Sequence, residues 1–385
     1  VRLGYGLSGN QNIPNYRYMT LFSPRPSLGS TILENDGMFG NPNLKWEVQK
    51  QFNTGLDISL LNSKLNLVFD YFLINNDDLL MERTKAGSSG YLRELANVGA
   101  MENKGIEISV NANLVETRDF SWGGGLTFSS ARNKITRLYD GVETVWKLGG
   151  YSNNEIQREG NLFVGESINN IYVYKFDRIV QESDMDYVNS LDLGNRIVKP
   201  GDILPEDRDH NGIINDKDRY VVGNTDPDFY GGIHTTLAYK GLSLNVVTTY
   251  SVGADRISYL YETLMDNSGL LSTHEDMKNR WTPENTNTNI PRAYNLGDWG
   301  LLGGRYGVGE TDWAVQDASF FRISTMTLAY NFPTTLINKA KIGSLRVYVT
   351  GNNLFTFTKY KGFDPEGGDW YPTSKMYVVG LNLSF

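Results

Sequence analysis

Cysteine is absent from the 385 residues, which removes disulfide frameworks, zinc ribbons and thiol nucleophiles from consideration. Histidine is nearly absent as well. His210, His234 and His274 are the three present, none at metal-ligand spacing, and His274-Glu275 lacks the second histidine of H-E-x-x-H. No G-x-S-x-G nucleophile elbow occurs, so the chain is not expected to be an enzyme. No Lys/Arg-rich run is found, and a net charge of −8 with a pI of about 5.1 gives no footprint for nucleic acid. No stretch approaches the ~18 apolar residues of a transmembrane helix. The N-terminus, VRLGYGLSGNQN, shows no Met, basic region or apolar region of a signal peptide. It enters as if mid-strand, so the chain is expected to be the C-terminal part of a longer protein. Within it GYGLSG (4–9) spells G-x-G-x-x-G, but NQNIPNYRY after it opens no helix, and a glycine-rich strand rim is the better reading.

What the chain does have is aromatic side chains (12%, with 23 Tyr), 40 Gly and a mean hydropathy of −0.38. Its segments alternate. Ile106, Ile108, Val110, Ala112 and Leu114 alternate with Glu107, Ser109, Asn111 and Asn113. Residues 242–252 set Leu242, Leu244, Val246, Thr248, Tyr250 and Val252 against Ser243, Asn245, Thr249 and Ser251, and 375–385 align Tyr377, Val379, Leu381, Leu383 and Phe385. Period-2 alternation of this length predicts strands with one apolar and one polar face. A membrane β-barrel has that pattern, because the lumen side of each strand dilutes its hydropathy.

Connections divide into short and long. The short ones lie at 60–65, 115–119, 239–242 and 331–343; the long ones at roughly 10–44, 81–102, 181–227, 259–316 and 356–373. If Phe385 ends a periplasmic strand, counting backwards puts the short turns on that side and the long loops outside. The count closes upstream with an additional descending strand near 152–162, turning at FVGES (163–167). This gives an all-β, antiparallel transmembrane barrel segment of about twelve strands. In 318–332 the apolar phase switches between Phe321–Ile323 and Met326–Phe332, which predicts a β-bulge near Ser324.

Two sets of loop residues carry candidate binding chemistry. DRDHNGIINDKD (207–218) has EF-hand or dockerin spacing, with Asp207, Asp209 and Asn211 at positions 1, 3 and 5 and Gly212 at the turn. Ile213 would offer its carbonyl and Asp218 closes the loop, with Asn215 reaching the ion through water. The flanks, rich in Pro and Gly on one side and strand-like on the other, make a helix-free setting. Such a loop is either a structural Ca2+ site or an Asx-turn cluster without metal. The second set is aromatic: Trp281, Trp299, Tyr306 and Trp313 in one long loop, and Trp370 and Tyr371 in another. These rings either stack on a sugar or peptide, or pack the loops' own cores and the membrane girdle. Arg322, near the outer rim, either binds an acidic group or pairs with a neighbouring carboxylate.

Several stretches, in order, resemble one family. NPNLKWEVQKQFNTGLDISLLNSKLNLVFDYF (41–72), NVGAMENKGIEISV (97–110), FVGESINNIYVYKFDRIVQ (163–181), GDILPEDRDHNGIINDKDRYVVGNTDPDFYGGI (201–233) and LRVYVTGNNLFTFTKYKGFDPE (345–366) are similar to SusC/RagA-type TonB-dependent transporters of Bacteroidetes outer membranes. The resemblance implies that residues 1–385 are the C-terminal portion of a 22-stranded barrel, without its plug domain, TonB box and first strands. It implies import of oligosaccharides or peptides, with a SusD-like surface lipoprotein as lid and the TonB–ExbB–ExbD complex as energy source. It implies contact with lipid and lipopolysaccharide, no organic cofactor and no nucleic acid. A passive porin and a surface adhesin are the alternatives.

Overall fold

The computed structural model describes residues 1–149, 155–193, 197–265, 272–294, 310–369 and 371–385. Ten antiparallel strands form one sheet: β1 (Arg2–Asn10), β2 (Glu47–Leu60), β3 (Leu65–Thr84), β4 (Arg93–Glu116), β5 (Phe120–Arg137), β6 (Phe229–Tyr239), β7 (Leu242–Val252), β8 (Phe320–Asn331), β9 (Ser344–Thr358) and β10 (Met376–Ser384). Each pairs with the next along the chain, and a two-residue strand at Met38–Phe39 adds parallel to the outer end of β4. No helix among the described residues is long and apolar enough to cross a membrane.

Register turns the alternation into two faces. Leu242, Leu244 and Val246 of β7 stand opposite Tyr330, Leu328 and Met326 of β8, while Ser243 and Asn245 stand opposite Ala329 and Thr327. The polar set continues through Thr236 and His234 of β6 and Asn111 and Asn113 of β4. The apolar set is the outer one, and it is exposed: Leu3, Leu7, Leu242, Leu328, Val379 and Leu381 are all open. Aromatic rings border it at both ends. Phe128, Phe229 and Tyr250 cluster at one rim, and Tyr330 packs on Phe332 at the other. Phe229 and Tyr239 bound the eleven residues of β6; a tilted strand of that length spans about 25 Å, the height of a membrane barrel's apolar band.

The turns at one end are tight. Lys240 and Gly241 both have positive φ between paired Tyr239 and Leu242, the two-residue type I′ geometry that matches strand twist. The bulge expected near Ser324 is present: pairing jumps from Ile323 to Thr325 on both sides of β8, and the freed Ser324 hydroxyl meets Thr249 Oγ1 at 2.9 Å.

Two expectations need correction. β5 pairs directly with β6, from Phe120 opposite Tyr239 to Ser129 opposite Tyr230, so among the described residues the wall has ten strands rather than about twelve. Residues 152–154 lie outside the described set, and 162–163 pair with 144–145 within a loop. Asn170–Tyr174 is a strand, but it pairs with Arg219–Asn224 and every residue in it is buried, so no face is left for lipid. Removing two strands leaves the sidedness of every other turn unchanged. The second correction is at 81–102, where β3 and β4 run on as a hairpin and leave only residues 85–92 as loop.

Candidate functional site

The buried side chains lie mainly outside the wall. The β5–β6 loop (residues 138–228) and the β7–β8 loop (residues 253–319) build a packed layer over its outer end. Tyr174, Val180, Val188, Leu191, Leu204 and Ile214 form one core within the first loop. Ile171 and Val173 pack with Ile257 and Ala314 across the two loops.

Within that layer the side chains of the DRDHNGIINDKD loop close onto its own backbone, an arrangement common to both of its readings. Asp207 accepts hydrogen bonds from the Asn211 amide at 3.2 Å and the Gly212 amide at 2.8 Å, and Asp218 accepts from the Arg208 and Asn215 amides at 3.0 and 2.8 Å. Asn211 Oδ1 accepts from the Ile213 amide at 2.7 Å. Gly212 supplies the positive φ of the turn. Asp207, Asp209 and Asp218 each offer an oxygen, all within 4.8 Å of one another. Oxygens on opposite sides of a Ca2+ ion at 2.3–2.6 Å lie at about that separation, so the donor set fits the ion. Ile214 anchors the loop in the core. Strands at Ile203–Pro205 and Arg219–Asn224 flank it; among the described residues the nearby helical pieces are 3-10 turns at Asp216–Asp218 and Glu182–Asp184 and a short helix at Met185–Ser190.

The aromatic candidates separate. Trp281 is a correction: at 9% exposure it packs on Ile179 and Ile203 and leaves no ring face for a ligand. Gly201 makes room for it, since a Cβ there would sit 2.5 Å from the indole, and Trp281 Nε1 donates to Gln181 Oε1 at 3.1 Å. Trp313 packs against three of the loop cores, stacks on Tyr261 at 5.8 Å and donates to the Asn289 carbonyl. Tyr371 is open, at 84% exposure. Trp299, Tyr306 and Trp370 lie outside the described residues. Arg322 takes the second of its two readings. Its guanidinium forks onto both Asp364 oxygens at 2.8 and 2.9 Å and onto Glu366 at 2.9 Å, pinning the β9–β10 loop (residues 359–375) to the wall.

Sequence reasoning missed the ion pairs that brace the loops. Arg158 meets Glu262 at 2.9 Å, Arg292 meets Asp202 at 2.7 Å, and Arg219 meets Glu310 at 2.9 Å, each joining the β5–β6 and β7–β8 loops. Lys361 reaches Asp276 at 2.6 Å, and Asp369 accepts from the Ser258 hydroxyl and the Leu260 amide, tying in the β9–β10 loop. Partners about a hundred positions apart leave no local signal. Burial pushes the Glu262 carboxyl up, and Arg158 opposes the shift. Burial and the neighbouring Asp312 carboxylate push the Tyr220 phenol up to about 12. For Asp364 burial would raise the carboxyl, but Thr373, the Gly367 and Glu366 amides and Arg322 outweigh it and hold it at about 2.

A polar-lined wall, apolar outside and capped by a braced loop layer, is suited to holding and passing a polar solute. Comparison with known proteins gives the family to which this wall belongs. Residues 2–354 match the family model "TonB dependent receptor-like, beta-barrel". The whole chain is 32% identical to TonB-dependent receptor P3 of Formosa agariphila and 29% identical to TonB-dependent receptor SusC of Bacteroides thetaiotaomicron, spanning 39% and 37% of their lengths. It superposes with a TM-score of 0.78 and 26% identity on a chain of the RagAB peptide transporter, covering 100% of this chain and 40% of that one. The chain therefore belongs to the TonB-dependent receptor β-barrel family and is of its SusC/RagA-like kind.

Proposed function

We propose that the chain is the C-terminal barrel portion of a TonB-dependent importer that carries oligosaccharides or peptides across the outer membrane. The observation that carries this reading is the pairing of a polar inner wall with an ordered outer loop layer, in a chain of this family. A SusD-like surface lipoprotein would close over the loops, and the TonB–ExbB–ExbD complex would supply energy through the rest of the protein. The lipoprotein is what the resemblance to SusC/RagA-type transporters implies. The chain spans about 40% of the length of the relatives it matches, so plug, energy coupling and lid all belong to the proposal.

The test is uptake of labelled oligosaccharides and peptides by cells carrying the full-length protein, with and without the proton gradient. Energy-dependent uptake of either class is the expected result. Uptake that survives collapse of the gradient would identify a passive porin, and surface binding without uptake would identify an adhesin.

Asp207, Asp209, Asn211, Asp218 and the Ile213 carbonyl are proposed to hold Ca2+ in a structural role. What supports this reading is that the three carboxylates each offer an oxygen within 4.8 Å of the others; a bound ion would link them and brace a long loop. Chelator should make residues 207–218 cleavable by protease, and the Asp207→Ala, Asp209→Ala double variant should be cleaved equally with and without chelator. A wild-type loop indifferent to chelator would eliminate the ion.

A further inference from the structure

Where the lumen face of the wall meets the loop layer there is a cavity of about 370 Å³. Tyr230, Ser251 and Phe320 stand directly opposite one another across β6, β7 and β8, in the same phase as His234 and Asn245, so they belong to the inner face. These three line it from the wall, and each outer loop adds to it: Pro227 from the β5–β6 loop, Arg256 from the β7–β8 loop and Glu366 from the β9–β10 loop. Apart from Arg256 and Glu366 the lining is uncharged. On the import reading, a solute passing from the loops into the lumen meets this cavity.

Arg256 is the group there whose bonding is incomplete. It is half-buried in the short strand Asp255–Ile257, directly opposite Gln316 of Val315–Asp317. A guanidinium carries a fork of N–H donors. Among the described residues Arg256 uses one of them, from Nη2 to the Glu366 carbonyl at 3.2 Å, and meets no carboxylate. Its Nε is enclosed without an acceptor, and so is Nε2 of Gln316. Arg158, Arg219 and Arg292 in the same layer each meet a carboxylate. The acidic groups around Arg256 are committed elsewhere. Glu366 and Asp364 both bind Arg322, Asp255 accepts from the Asn224 amide, Asp317 accepts from the Ser319 amide, and Asp369 accepts from Tyr360 and Ser258. The Glu366 side chain is 62% exposed, so water and Arg322 screen it and it does not bar an anion from the cavity.

We infer that this cavity takes a carboxylate of the imported solute, held by Arg256, with an adjoining apolar part of the solute against Tyr230 and Phe320. A half-buried guanidinium short of acceptors gains most from a charged one, which can take two of its N–H groups at once. A neutral solute would leave that charge unmatched. The inference rests on the import reading and narrows it to acidic solutes. A peptide C-terminus and a uronate sugar present the same group.

The test is equilibrium binding to the full-length protein in detergent, with two matched pairs of probes. One pair is a randomised, N-acetylated pentapeptide pool with free or amidated C-termini; the other is oligogalacturonate and its methyl ester. In at least one pair the acid should bind about tenfold more tightly than its neutral form, the effect of one charge-assisted hydrogen bond, and the pair that shows it identifies the source. Arg256→Gln should erase the difference, and Arg256→Lys should restore part of it. Gln316→Glu keeps an acceptor for the Lys361 amide and sets a carboxylate opposite Arg256, so it should erase the difference too, with the fold intact by heat-modifiable gel migration. Equal binding of acid and neutral forms in both pairs, no binding of either acid, or a preference that survives Arg256→Gln would each overturn the inference. The preference without energy-dependent uptake would sink import and leave the site standing.

Discussion

The wall and the loop layer use the same aliphatic residues in opposite ways. Leu242, Leu328, Val349 and Leu381 of the wall are exposed, whereas Ile171, Val173, Val180 and Leu204 of the loops are buried almost completely. The loop layer therefore obeys the rule for proteins in water: apolar side chains leave solvent and form a core. In the wall, the apolar side chains meet lipid, and cohesion comes from uninterrupted hydrogen-bonded pairing between strands. The two regions are joined by a few buried polar contacts, of which the Arg322–Asp364 pair is the most enclosed, with side chains 8% and 5% exposed.

That contrast can be broken at its joint. Arg322→Ala leaves Asp364 buried without its cation, a change worth about 3–5 kcal/mol. The expected outcome is loss of hydrogen-exchange protection across residues 359–375, with barrel pairing intact. Unchanged protection there would show that the pair does not hold the loop. Within the wall, Val246→Arg puts a charge on the outward face near mid-band and should cost about 2–4 kcal/mol in lipid vesicles. Asn245→Arg, one residue away but facing the lumen, should cost far less in the same denaturant titration. Similar losses for the two variants would contradict the assignment of faces.

A smaller effect is expected from Trp281→Phe, which keeps an aromatic ring in the loop core but removes the bond to Gln181. About 1 kcal/mol should be lost, read as faster proteolysis of the loop layer alone. Acid should loosen the same joint that Arg322→Ala breaks. The Asp364 carboxyl is held at about 2, below its ordinary 3.8, so its stabilisation is complete above that range and is lost as pH falls through about 2. Pepsin cleavage of residues 359–375 should rise in that window. Asp364→Asn should be cleaved at a rate that no longer depends on pH there.

Much of the wall was legible because alternation is a local signal that a strand cannot hide. The phase switch in β8 even located the bulge at Ser324, since one extra residue is the only way to keep both halves outward. NIYVY at 170–174 misled for a physical reason: a short strand buried on both faces has the same composition as a lipid-facing one. Only its partner strand, about fifty residues on, shows which it is. Both readings of the acidic loop rested on local spacing, because side chains two to five positions apart make its amide hydrogen bonds. Trp281 was not, because its partners, Gln181, Ile179 and Gly201, come from a different loop.

These 385 residues contain no cysteine, so a single cysteine introduced among them is the one thiol in this part of the barrel. Single cysteines placed in turn at residues 242–250, labelled with a fluorophore and reconstituted with a lipid-phase quencher, report which side chains meet the bilayer. Strong quenching at 242, 244 and 246 with weak quenching at 243, 245 and 247 is the predicted result. Uniform quenching along β7, or alternation in the opposite phase, would contradict a membrane wall with a polar lumen.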